Sequence, residues 1–288
     1  MTRLLFDAAT AATAGARDRQ EDAVMTDLGR GSRSGIAVLS DGMGGAHKGD
    51  RAARLLVSEM FARLGGDADP QTLRAALDSA NTALRSQVCG RRSRAGTGGT
   101  LLSAVVRDDG LRWISVGDSA LFLLRAGRLR RLNADHSMGA EIDALVRLGR
   151  ITADAAARHP HRDCLTSAVT GGQIAHVDCP ADAVRLEHGD VVALVSDGVL
   201  ALGETGLRDT LASGCGAASK ADAVIDAVTR LGLPDQDNAS AVIPAARSPA
   251  RVPAAPLHST GLRAWLQGRL PAGRQTPDPD PLDRPGLH

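Results

Sequence analysis

The sequence predicts a layered α+β domain in which sheets are covered by helices. Three observations carry that prediction. Short aliphatic runs bounded by Gly, Asp or Asn recur from residue 1 to about residue 245, as strands require. Longer stretches with helical spacing of apolar residues arrive between them in pairs. Four acidic dipeptide motifs, Glu21-Asp22, Asp41-Gly42, Asp197-Gly198 and Asp237-Asn238, span nearly all of this region, and at least three begin or end an apolar run. A cluster drawn from such distances belongs to one domain.

The strands are predicted at Gly35–Ser40, Leu101–Val106, Trp113–Val116, Ala120–Arg125, Val191–Ser196 and Ala239–Ile243. Residues 112–132 read as a meander, with turn signals at Gly117-Asp118 and Ala126-Gly127. Helices are predicted at about Gly49–Leu64, Pro70–Val88, Met138–Leu148, Thr152–Ala157 and Ala221–Leu231. The second opens on Asp69-Pro70, an N-cap followed by the residue best suited to the first helical position. Beyond residue 245 the composition shifts. Eight of the 13 prolines lie between Pro249 and Pro285, so residues 246–288 read as a Pro/Arg-rich disordered tail. Within it, residues 259–270 have the pattern of a short helix with Leu262, Trp265, Leu266 and Leu270 on one face, interrupted by Gly268.

Composition narrows the function classes. The 288 residues are 43% hydrophobic and 23% charged, ordinary for a globular protein long enough to bury a large core. Aromatics are 2% and Tyr is absent, so the core is built from Val, Leu, Ile and Ala, and no base-stacking surface is expected. A net charge of +1 argues against a nucleic-acid binder. Cys89, Cys164, Cys179 and Cys215 stand far apart, with no C-x-x-C pair and no His at zinc spacing. No signal peptide and no run of 18 uncharged apolar residues is seen, so no membrane span and a reducing cytoplasm are expected.

The chemistry lies in the acidic motifs. In GIAVLSDGMGG a buried strand runs into a Gly-rich turn, where Asp41 and the Gly42 carbonyl can offer two oxygens to one or two ions. LVSDGVL repeats the pattern at Asp197, and Asp237 precedes Asn238 and a short strand. One Asp-Gly is ordinarily a turn. Four such motifs at strand ends repel one another unless a cation lies between them, and oxygen-only ligands select a hard divalent ion. Cys179 and Arg185 match the C-x5-R spacing of cysteine phosphatases, but the intervening PADAV has no Gly and its Pro lacks an N–H, so it makes a poor phosphate cradle.

The motifs GARDRQEDAV, VLSDGMGG, AGTGGTLLSAVV, ISVGDSALFLL, NADHSM, LTSAVTGG, ALVSDGVL and DNASAVI occur in this order over about residues 15–243. Together they resemble the metal-dependent protein phosphatases, the protein phosphatase 2C family, in its compact bacterial form. The resemblance implies a central β-sandwich of two mainly antiparallel sheets flanked by helices, a four-layer α-β-β-α arrangement. It also implies two Mn2+ or Mg2+ ions at one end, with a third, weaker one in some members. By motif, Asp41 resembles the bridging carboxylate, Gly42 a carbonyl ligand, and Asp197 and Asp237 the remaining carboxylates. Glu21 and Asp22 resemble a pair that holds ion-bound waters directly or through a further shell. Arg17 matches the phosphate-binding arginine, and Asp118 a ligand of the third ion.

Several positions depart from the family pattern. Gln20 replaces Asn, Met43 a frequent His, Ala120 and Ser167 two arginines, Asp50 a Glu and Ala46 a His. His136 reads as structural. His159 and His161 lie in a variable flap, as solvated loop histidines or substrate contacts, and Arg91, Arg92 and Arg94 read as an exposed basic loop. The function implied is hydrolysis of phosphoserine and phosphothreonine, with phosphorylated proteins as substrates, a cognate Ser/Thr kinase as opposing partner and a monomer as default. A small phosphate-ester hydrolase and an inactive binding module of the same fold are the alternatives.

Overall fold

A computed structural model describes residues 4–44, 48–64, 69–89 and 96–247. Ala46, the arginines at 91, 92 and 94 and the tail from 248 onwards lie outside the described residues. Eleven strands and six helices are seen among the described residues. In chain order these are β1 Leu5–Thr13, β2 Ala23–Thr26, β3 Gly35–Ser40, β4 Gly42–Met43, α1 Gly49–Arg63, α2 Pro70–Cys89 and β5 Gly98–Gly99. Then come β6 Leu101–Arg107, β7 Gly110–Val116, β8 Ala120–Arg125, β9 Arg128–Arg131, α3 Met138–Arg147 and α4 Ala153–Ala157. β10 Val191–Val195, a 3-10 turn at Asp197–Leu202, α5 Gly203–Ala212, α6 Ala217–Leu231 and β11 Ala239–Arg247 complete the order.

Two antiparallel sheets form the centre, one in the order β1-β11-β10-β8-β9 and the other β2-β3-β6-β7. The period-2 alternation of each strand explains the layering. On β3, Ala37 and Leu39 point between the sheets, where they meet Leu102, Leu121, Leu123, Val192, Leu194 and Val242. Ile36 and Val38 point outward, onto Leu56, Met60, Leu73 and Leu77 of α1 and α2. On β10, Val192 and Leu194 face inward while Val191, Ala193 and Val195 face Leu207, Leu211, Val224 and Val228 of α5 and α6. The strands are apolar on both faces because both faces are covered. The expected four-layer α-β-β-α sandwich is the observed one.

Some elements were not foreseen. β1 reads LFDAATAAT, poor in β-branched residues, yet it pairs along its full length with β11, from Leu5↔Arg247 to Thr13↔Ala239. β2 and α5 likewise carry little local signal, and α6 begins at Ala217 rather than Ala221. β11 continues through Pro244 to Arg247, with β10 paired at Val191↔Ala245 and Leu194↔Val242 on either side of the proline. The Asp69 side chain does cap α2, accepting from Thr72 N at 2.7 Å. Among the described residues, no helix is long and apolar enough to cross a membrane.

Candidate active site

Arg17, Glu21, Asp41, Gly42, Asp118, Asp197 and Asp237 line one cleft of about 820 Å3, together with Arg19, Met43, Asp163 and Cys164. The loops that bring them there leave strands of both sheets. Asp22 does not line this cleft and lies buried beside it.

Backbone pairing fixes Asp41 at the end of β3. Its N–H donates to Thr100 Oγ1 at 2.9 Å, its carbonyl accepts from Thr100 N at 2.9 Å, and the preceding Ser40 Oγ donates to Thr100 O at 2.6 Å. The side chain is left to face the cleft. Gly42 follows, and a Cβ there would collide with the Gly49 carbonyl and stand 2.6 Å from the Glu21 carbonyl. Only glycine permits this approach of β4, α1 and the Glu21 loop. At Gly49 an added Cβ would sit 2.8 Å from both Glu21 Oε2 and the Gly42 carbonyl oxygen, so these two oxygens share a small cradle at the start of α1.

The second sheet supplies the other wall. Ser196 follows the last residue of β10, and its Oγ donates to Asp22 Oδ2 at 2.9 Å and accepts from Ser240 N at 2.9 Å. Asp197 follows directly, and its Oδ1 is buried without a partner, as is Asp22 Oδ1. Asp237 precedes β11 and meets Arg17 Nη2 at 2.7 Å. Asn238 clamps the Arg17–Glu21 loop: its Oδ1 accepts from Glu21 N at 2.7 Å, and its Nδ2 donates to Ala14 O at 3.0 Å and Arg19 O at 2.8 Å.

Asp118 sits in the β7–β8 turn. Gly117 N donates to His136 Nδ1, and His136 N donates to the Gly117 carbonyl, both at 3.1 Å, so His136 braces this turn from below. Ala120, where the family pattern has Arg, is fully buried in the α5/α6 layer. Arg131 on β9 donates to Asp118 O and to Asp135 Oδ2 at 2.7 Å each, holding the β7–β8 turn from the strand that neighbours β8. Ser167 donates to His176 O and accepts from His176 N, both at 2.9 Å.

The electrostatics call for a cation. Burial pushes the Asp41 carboxyl up to about 10, with the charges of Asp22, Asp197 and Asp118 adding to it. Burial raises Asp118 to about 7, helped by Asp197 and Asp135 against Arg131. Asp22 rises to about 6, burial outweighing the Ser240 and Ser196 hydroxyls. Asp197 is raised too, by burial and then by Asp237. Neutral carboxyls at these positions waste their oxygens; a positive charge among them restores ionisation. Among the described residues no three acidic, His or Cys side chains close on one point as a finished cage. The donor set nevertheless fits hard divalent ions: oxygens only, two of them orphaned, and a carboxylate–carbonyl cradle at Gly49.

Residues 14–224 match the model of the family described as protein phosphatase 2C. The chain belongs to that family. It is 30% identical to the serine/threonine phosphatase Stp of Listeria welshimeri over 213 residues, covering 69% of this chain and 81% of that protein. It is 33% identical over 168 residues to the serine/threonine protein phosphatase PstP of Mycobacterium tuberculosis, which covers 57% of this chain. This chain spans only 31% of that relative's length. The catalytic domain of PstP, solved in complex with two manganese ions, superimposes with a TM-score of 0.69 at 26% identity, covering 85% of this chain and all of that one.

Within this family member, sequence reasoning passed over three groups that shape the site: the Asn238 clamp, the Thr100 brace and the Arg131 contact with the Asp118 carbonyl. Asn238 and Thr100 stood within recognised motifs; Arg131 carried no signal of its own.

Proposed function

We propose that this chain is a metal-dependent protein phosphatase that hydrolyses phosphoserine and phosphothreonine. The observation that supports it is the gathering of Asp41, Asp118, Asp197, Asp237 and Glu21 with two exposed arginines, Arg17 and Arg19, around a single cleft. Asp41, the Gly42 carbonyl, Asp197 and Asp237 would hold two ions, and Glu21 and Asp22 would hold their waters. Asp118, beside Asp197, would serve a third. Two Mn2+ or Mg2+ ions would lower the pKa of a water and offset charge on the phosphoryl oxygens.

The residues of the chain do the rest. Arg17 uses one Nη on Asp237 and turns its remaining N–H donors to the phosphoryl oxygens, where a planar fork suits a dianion. Asn238 keeps that arginine and Glu21 on one rigid loop. Asp237 thus touches both the arginine and the ion site, coupling phosphate binding to ion binding. Met43 lines the cleft without a proton to give, so the leaving oxygen takes its proton from water or a cleft carboxyl. The cleft is lined by Arg17, Asp18, Arg19 and Asp163, a polar wall suited to a polypeptide substrate. A Ser/Thr kinase acting on the same proteins is the partner this reading implies, and the cytoplasm its setting.

Phosphate release from a phosphothreonine peptide, with Mn2+, with Mg2+ and with chelator, tests the reading for the wild type and Asp197→Ala. Metal-dependent release that collapses in the variant is expected. A folded wild type that releases no phosphate with either ion leaves a binding module in its place.

A further inference from the structure

Gln236 stands just ahead of the DNASAVI motif and beside the cleft, whose lining it does not join. It is 8% exposed, and its amide is shared between two loops of the ion site. Nε2 donates to the Gly198 carbonyl at 3.1 Å and to the Asp237 carbonyl at 3.2 Å. The backbone of the same residue reaches a third loop, its carbonyl accepting from Ala16 N, next to Arg17, at 2.8 Å. Gln236 therefore touches the segments that carry Asp197, Asp237 and Arg17.

The contact lies where sheet pairing gives out. β10 and β11 are joined as far as Ser196 and Ser240, where Ser196 N donates to Ser240 O at 3.1 Å. Beyond them the chain leaves the sheet as the Asp197–Leu202 turn on one side and the 232–238 loop on the other. Among the hydrogen bonds of the described residues, the Gln236 side chain alone ties that turn to that loop. The two carboxylates at this gap push it open: burial first, then the charge of Asp237, raises the Asp197 carboxyl. Gly198 packs bare against the Asn238 carbonyl, which a Cβ would strike, so the amide can close the gap at ordinary bond length. One end of that amide is unsatisfied, because Oε1 is buried without a partner. Turning the amide over would set Oε1 against two carbonyl oxygens, so the two N–H donors fix its orientation. A buried acceptor left bare costs stability, and this one is kept where two loops of the ion site must be held together.

We propose that Gln236 is a positioning residue for the ion centre: its amide holds the Asp197 turn and the Asp237 loop at the spacing from which both carboxylates reach a divalent ion. Without that fork the gap widens under the mutual repulsion of the carboxylates, and an ion must draw them back at a loss of affinity. The inference rests on the ion-site part of the phosphatase reading and does not require catalysis.

The test is Mn2+ binding to the full chain by calorimetry, for wild type, Gln236→Met, Gln236→Asn and Leu73→Ala, each stripped of metal and shown to be folded by circular dichroism. Methionine keeps the length and loses the donors; asparagine keeps the amide and is one methylene too short to span the gap. Leu73, fully buried on α2, controls for lost stability alone. Mn2+ affinity is expected to fall about tenfold in both Gln236 variants and to hold at the wild-type value in Leu73→Ala. Should Gln236→Met fail to fold, Gln236→Asn decides. In phosphate release, the KM for Mn2+ is expected to rise by the same factor while kcat at saturating Mn2+ stays near wild type. Unchanged Mn2+ affinity in the Gln236 variants overturns the inference, and so does an equal loss in Leu73→Ala. A chain whose Mn2+ binding depends on Gln236 but which never releases phosphate keeps the inference and loses the phosphatase reading. A wild type that binds no Mn2+ loses both.

Discussion

Arg17 and Asp237 form an ion pair whose side chains are 60% and 39% exposed, so solvent screens it and its exchange for a phosphoryl group costs little. Replacing Arg17 by Ala removes charge-assisted hydrogen bonds worth about 1.5–3 kcal/mol, so kcat/KM should fall by about 10–100-fold. Arg17→Lys should recover only part, because an ammonium cannot fork. Steady-state kinetics on a phosphopeptide decide this, and an unchanged kcat/KM in the Ala variant removes Arg17 from phosphate binding. Asn238 acts differently, through the loop it clamps. Asn238→Ala takes the side-chain partner from Glu21 N and Arg19 O, and leaves Ala14 O with Arg17 N alone. It should lower unfolding free energy by about 1–3 kcal/mol and reduce kcat/KM as well. Urea unfolding beside kinetics separates the two; activity lost without any stability change contradicts the clamp.

The β3–β4–α1 segment is the element that joins core to site. Its apolar face seats Leu56 and Met60 on the sheet, while its turn presents Asp41, Gly42 and the Gly49 cradle. Mutation probes each duty. Leu56→Ala empties fully buried volume between helix and sheet and should cost about 2–5 kcal/mol, read from the shift of the urea midpoint. Gly49→Ala places a methyl group between Glu21 Oε2 and the Gly42 carbonyl. Its effect should reach the ion, with divalent binding by calorimetry weakened about tenfold or more, and also lower the melting temperature of the chelated protein, because the Gly42 oxygen it meets is backbone. Unaltered Mn2+ affinity in Gly49→Ala excludes the cradle from ion binding.

For the whole molecule, the acidic cluster sets a pH dependence. Asp22, Asp118 and Asp41 stand at about 6, 7 and 10 in the fold, against the usual 3.8. A carboxyl raised in this way keeps its proton longer when folded. Its contribution to stability is complete below pH 3.8 and is lost as pH climbs through the folded value. The chelated protein should therefore lose stability from these groups as pH rises from about 4 towards about 10. A divalent ion keeps them ionised and should flatten that slope. Thermal melts across pH, with chelator and with Mg2+, check it; a chelated protein that gains stability over that range, or an equal slope in Mg2+, contradicts a cation-requiring cluster.

Much of this was legible in the chain itself. Helices α1, α2 and α6, and strands such as β3, β10 and β6, announce themselves: the helices by their apolar spacing, the strands because burial on two faces demands continuous aliphatic runs bounded by turn residues. The acidic motifs announce the chemistry because carboxylates at strand ends are costly without a purpose. β1, with its alanines and threonines, becomes a strand only because β11 offers a nine-residue partner, and local propensity cannot report a neighbour. Likewise the sequence does not tell that Asp22 is buried against Ser196 while Asp41 faces the cleft, although both stand beside strands. Nor does it show Arg131 reaching across to the Asp118 carbonyl. Periodicity records which faces are buried; only the folded chain decides what lies across from them, because those contacts join residues far apart along the backbone or depend on how a turn closes.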